Sequence, residues 1–233
     1  MSEYRGAVVP GLSGSDEERG ADARREAGGV GKESRAASPG APVRAGNTVI
    51  RVAPLPAAEW TQEERDLLSG NLARADRYLS GEPDAPPMPA ILGLFARHPR
   101  VTAPWLAFSG TLLDAGTLEP RDRELLILRV AARARSRYEW AQHVRMAAAA
   151  GLTAWQITAV PDGPGAPGWT DRQRDLLNAA DQLLDDHVID DGTWARLAAY
   201  LDERQLLELT FVVGSYACLA MVLNSVGLEP PTE

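Results

Sequence analysis

Apolar positions recur every three to four residues along most of this chain, and that spacing predicts helices. Thr61 with Glu64 three residues on forms a capping box that opens an amphipathic stretch over 61–78. The prolines within 82–89 break it. A short helix is expected over 90–97, stopped by His98-Pro99. Another is expected over 102–115, with Pro104 in its first turn and Gly116 as its stop. Pro120 starts a helix that runs to about Ala134. Its centre, Leu125-Leu126-Ile127-Leu128 and then Val130-Ala131-Ala132, is apolar on nearly every side, the mark of a helix buried all round. Ser136 caps the next helix, with Glu139 at its N3 position, and Ala150 ends it ahead of Gly151. Thr153 with Gln156 makes another capping box, and 161–168 reads as a loop. Thr170 with Gln173 opens a helix to about His187, and Asp191 is expected to cap 193–200. Asp202 with Gln205 opens the last helix, to about Val226 before Gly227. No segment sustains a period of two, and no hairpin dipeptide separates apolar runs. The fold class is all-α, with no internal repeat of 20–50 residues.

Residues 1–48 break that pattern. They hold nine of the 21 glycines, few large apolar residues and charges of both signs without helical spacing, so they read as a disordered tail. The folded domain is expected over 49–233, beginning with an extended lead-in where Pro54 and Pro56 block a helix.

The chain carries a net charge of −8, and residues 1–50 contribute seven basic and seven acidic side chains, so the whole excess lies in the folded part. Such a surface repels a phosphate backbone, and no nucleic-acid partner is expected. No run of eighteen or more apolar residues appears, so no membrane span is expected. Residues 1–20 lack the basic-then-apolar pattern of a secretory signal, which makes the cytoplasm the expected location. The single cysteine, Cys218, rules out an internal disulfide or a CxxC pair and reads as an inert core thiol. The single lysine, Lys32, lies in the tail, so the folded part has none for a Schiff base or a P-loop. Neither GxGxxG nor GxxxxGK[ST] occurs. These absences leave common cofactor chemistry few footholds.

The polar residues of the two central helices are the candidates for chemistry. Glu124 stands beside the Leu-Leu-Ile-Leu run, where a carboxylate must be paired, hydrogen-bonded or protonated. On the next helix Ser136, Glu139 and His143 share a face, with Trp140 flanking it. A histidine beside a carboxyl group of raised pKa makes a general acid/base pair. The same spacing also fits an ordinary helix pair preceded by a capping box, and from spacing alone both readings stand. His98 at a helix end and His187 near a helix C-terminus read as structural, and three separated histidines give no metal-ligand spacing. Tyr216 and Asn224, eight residues apart on the last helix, share a face from which polar tips could enter a cavity. Arg121, Arg123 and Arg129 could hold a substrate carboxylate or pair with nearby acids.

The stretch RDRELLILRVAARARSRYEWAQHVRMAAAAGLTAWQI, residues 121–157, resembles the carboxymuconolactone decarboxylase family, within the superfamily of alkyl hydroperoxidase D. A weaker similarity extends to the last helix, DERQLLELTFVVGSYACLAMVLNSVGL, so that the resemblance spans roughly 85–228. It implies an alkyl hydroperoxidase D-like helical bundle over 49–233 that assembles as a trimer or hexamer. In the peroxidase branch, the resemblance implies a Glu, a CxxC pair and a His. Here Glu124 and His143 match, while Ser136 and Glu139 occupy the two Cys positions. Serine and glutamate cannot run a thiol relay. The decarboxylase branch implies no metal or organic cofactor. Its chemistry is loss of CO₂, or a related proton shift, from a small lactone or ring acid. On that reading His143 and Glu139 act as acid and base, Glu124 orients His143, and Ser136, Trp140, Tyr216 and Asn224 shape the substrate pocket. Longer members commonly read Tyr-Asn in the last helix, whereas Ala217 follows Tyr216 here, and helices are added at both ends. The implied substrate is therefore the broader class rather than carboxymuconolactone itself. A silent helical oligomer that binds an apolar ligand or a protein partner is the alternative.

Overall fold

The computed structural model describes residues 43–45, 48–80 and 86–231. A short antiparallel hairpin comes first, β1 (Val43–Ala45) and β2 (Thr48–Ile50), with Val43 opposite Ile50. The helices follow in order: α1 (Gln62–Leu68), α2 (Ala73–Leu79), α3 (Ala90–Phe95), α4 (Pro99–Asp114) and α5 (Pro120–Arg133). Then come α6 (Arg137–Ala149), α7 (Ala154–Ala159), α8 (Asp171–Asp185), α9 (Asp191–Leu197) and α10 (Glu203–Val226). Among the described residues the fold is all-α apart from the hairpin, which lies at the edge of the expected tail. The rest of that tail falls outside the described residues.

The helix that is apolar on every side is α5, and it is the centre of the bundle. It packs against α6, α8 and α10, which leaves Leu125, Leu126, Ile127, Leu128 and Val130 with almost no exposed surface. Each such side chain contributes roughly 1.5–3 kcal/mol through burial. The arginines of α5 are sorted by the same packing. Arg129 donates to both carboxylate oxygens of Asp181 on α8, at 2.7 and 2.8 Å, and to the carbonyls of Val160 and Pro161. Arg121 donates to Gln156 Oε1 at 2.9 Å. Both are thereby committed to holding helices together.

Several boundaries differ from the sequence reading. The stretch 61–78 is two helices, because Gly70 adopts a left-handed turn with φ of 75°. That turn presses on α4 so closely that a Cβ on Gly110 would lie 2.2 Å from the Asn71 carbonyl oxygen. Pro99 ends one helix and also starts α4, so Pro104 falls in the helix interior rather than its first turn. Asp190, not Asp191, caps α9, accepting from the Thr193 amide at 2.6 Å. Cys218 is exposed rather than buried. The reason is that α10 is apolar on its outer face too, where Leu207, Phe211, Met221 and Val222 are exposed. This helix has the length and apolarity of a membrane span, yet more than half of that stretch is buried in the bundle. It ends at Gly227, whose φ of 76° turns the chain and lets the hairpin approach, with Arg51 donating its amide to the Val226 carbonyl at 2.8 Å.

Candidate active site

The turn from α5 to α6 sets the site. Arg135 takes a left-handed conformation with φ of 54°, and the Ser136 amide returns to the Ala131 carbonyl at 2.8 Å. Asn224 on α10 clamps this turn by donating to the Ala134 carbonyl at 2.8 Å. Two helices thus leave one point at a fixed angle, and the Glu124 side of α5 faces the Glu139–His143 side of α6.

There His143 Nδ1 lies 2.8 Å from Glu124 Oε2, both side chains buried. Nδ1 is thereby committed to Glu124, and Nε2 is the nitrogen left for the cavity. Tyr216 packs edge-on against the imidazole, ring centroids 5.0 Å apart and planes at 88°. The ring is held from two sides.

Glu139 sits one helical turn before His143 and is only 2% exposed. Neither carboxylate oxygen has a hydrogen-bond partner. Burial pushes its pKa up to about 7, and the Ser136 hydroxyl, close by but outside hydrogen-bond geometry, offsets only part of that. The expected capping box therefore does not form: Ser136 occupies the N-cap position without a side-chain cap bond. The carboxyl group makes no hydrogen bond to the helix end, and its pKa is pushed up to about 7 instead.

These groups line a cavity of about 750 Å³ together with Arg123. Its far wall is mostly apolar and comes from α2, α3 and α4, through Ala75, Ile91, Phe95, Trp105 and Leu106, with Tyr78 and the buried Ser109 hydroxyl set into it. Tyr138, which accepts the Ile91 amide at 3.3 Å, ties α3 to α6 over it. Of the residues proposed from sequence, Glu124, Glu139 and His143 meet here. Ser136 and Trp140 instead line a second cavity of about 380 Å³ beside Ala131, Pro161 and Pro230. Tyr216 stands behind His143, and Asn224 belongs to the turn clamp rather than to a pocket. The residues that sequence reasoning missed are Tyr138 and the wall of α2 to α4. Those wall positions carry only the apolar periodicity of any core helix.

The helical bundle has the alkyl hydroperoxidase D-like fold. Residues 99–182, which hold Glu124, Glu139 and His143, match the carboxymuconolactone decarboxylase family. No curated protein matches the chain by sequence. Among solved structures it is similar to an uncharacterized peroxidase-related protein with an alkylhydroperoxidase AhpD core from Ralstonia eutropha JMP134. That likeness has a TM-score of 0.63 at 16% identity, over 77% of this chain and 93% of the other. A peroxidase-related protein from Silicibacter sp. TM1040 gives 0.62 at 16% identity, over 76% and 90%. The debrominase Bmp8 in its apo form gives 0.57 at 14% identity, over 78% and 92%. At these identities the likeness is one of fold.

Proposed function

We propose that the protein is a cofactor-independent lyase, or a related isomerase, acting on a small lactone or ring acid by proton transfer. The observation that carries this reading is the unpartnered Glu139 carboxyl group, titrating at about 7, beside a histidine fixed by Glu124 in one cavity. A group poised between its two protonation states at neutral pH suits both giving and taking a proton. In decarboxylation the C–C bond to the departing CO₂ breaks, and its electron pair moves into an adjacent carbonyl as an enolate. His143 in its doubly protonated form keeps Nδ1–H on Glu124 and stabilises the enolate oxygen through Nε2–H, and protonated Glu139 delivers its proton to carbon. In isomerisation ionised Glu139 first removes a proton from carbon and then returns it at another position. The role of Glu124 is to position His143.

The names of the structural neighbours raise peroxidase chemistry as a competitor. A thiol relay needs two cysteines in reach of each other. This chain has Ser136 and Glu139 at the matching positions, and its one cysteine lies exposed on α10. The proposal includes a cytoplasmic location and a homo-oligomer, trimer or hexamer, that covers the apolar outer face of α10.

The test is turnover of small ring acids and lactones by His143→Ala and Glu139→Gln. Each is expected to lose about two orders of magnitude or more, the usual contribution of a positioned acid or base. Unchanged turnover in both variants would sink the assignment.

A further inference from the structure

One cation in the cavity has no structural employment. Arg123 is 7% exposed, and its Nε has no hydrogen-bond partner. Its ion-pair contact is a loose one to Glu124 at 3.8 Å, and that carboxylate is already engaged by His143 at 2.8 Å. The other two α5 arginines raised by the sequence are committed to Gln156 and to Asp181. A guanidinium carries five N–H donors, and burying one without partners is costly unless a ligand completes it.

We infer that Arg123 is the anion anchor of the cavity, and that the ligand is a monoanion with an apolar ring body. The inference rests on the proposed function for the identity of the site and adds the class of molecule that fits it. The carboxylate takes the free N–H groups of Arg123 and lies beside His143 and Glu139. The ring then extends along Ile91, Phe95, Trp105 and Leu106, among which the Trp105 indole N–H is the one polar group. The cavity volume of about 750 Å³ falls within the range of small-molecule sites and accommodates one or two fused rings. A second anionic group is disfavoured. The remaining arginine of the lining, Arg145, is exposed and donates to Gln142 at 3.0 Å, whereas Glu124 and Glu139 repel negative charge.

The test is calorimetric titration of the full chain with three probes: 1-naphthoate, 1-naphthamide and naphthalene-1,8-dicarboxylate. The monoacid is expected to bind at least about tenfold more tightly than the neutral amide, the effect of a charge-assisted hydrogen bond. It is also expected to bind at least about tenfold more tightly than the diacid. Arg123→Met is expected to remove the preference for acid over amide, and Arg123→Lys to retain part of it. Amide and diacid binding as tightly as the monoacid, or no binding of the monoacid at all, overturns the inference, and neither outcome depends on a variant folding. An acid preference that survives in Arg123→Met overturns it as well. The result is separable from the proposed function: Glu139→Gln, which loses a repelling carboxylate, is expected to bind 1-naphthoate at least as tightly as the wild type does, so lost turnover with retained binding bears on the chemistry and not on the anchor.

Discussion

Glu139 is where local chemistry and stability pull against each other. In an unfolded chain its carboxyl group has the ordinary value of 4.5, and burial in the folded protein raises it to about 7. An acid whose folded pKa is raised favours the folded state while both forms are protonated, below about 4.5. That contribution is lost progressively as the pH rises to about 7, because only the unfolded state then ionises freely. The size is ~3 kcal/mol, at ~1.4 kcal/mol per pKa unit. Glu139→Gln, which cannot ionise, is therefore expected to gain stability over the wild type by roughly that amount at pH 8 and little at pH 4.5, read from denaturant unfolding at both values. An equal offset at both pH values would mean that the carboxyl group is solvated in the folded protein. A residue that destabilises its own fold at working pH is the usual mark of a functional position.

The helices were legible in the sequence wherever a cap or an all-apolar face marked them. Pro120 and the Leu125–Leu128 run identify α5, and the boxes at Thr153, Thr170 and Asp202 identify the starts of α7, α8 and α10. The break between α1 and α2 was not legible, because a glycine inside a periodic stretch is also compatible with an unbroken helix. The outer face of α10 was hidden for a similar reason: a helix apolar all round gives no phase that separates core from surface, which is why Cys218 was misplaced. For the site, spacing put Glu139 and His143 on one face, and the apolar run singled out Glu124, which the resemblance then matched. The contact between α5 and α6 that joins them is tertiary, as is the choice of Arg123 over Arg121 and Arg129. Side-chain and backbone partners 31 to 52 residues away in sequence decide that choice.

At the scale of the whole molecule, the bundle leaves an apolar stripe uncovered along α10. Leu207 and Met221 are 57% and 68% exposed, and Phe211 meets Phe108 of α4 edge-on with ring centroids 5.7 Å apart. Such a surface calls for a partner, and association of like chains is the expected outcome. Light scattering is expected to give the mass of a trimer or hexamer, and a monomer at micromolar concentration would contradict it. The cavity, by contrast, opens between α2–α4 and α5–α6. The claim at the centre of this account is that Glu139 and His143 move a proton to or from a substrate carbon. Incubation of the assembled protein with small ring acids in D₂O reads this directly by mass spectrometry. One solvent deuteron is expected at carbon in the wild-type reaction, with incorporation slowed about a hundredfold or more in Glu139→Gln and His143→Ala. Incorporation that proceeds equally in both variants, or turnover with no deuterium at carbon, would contradict it.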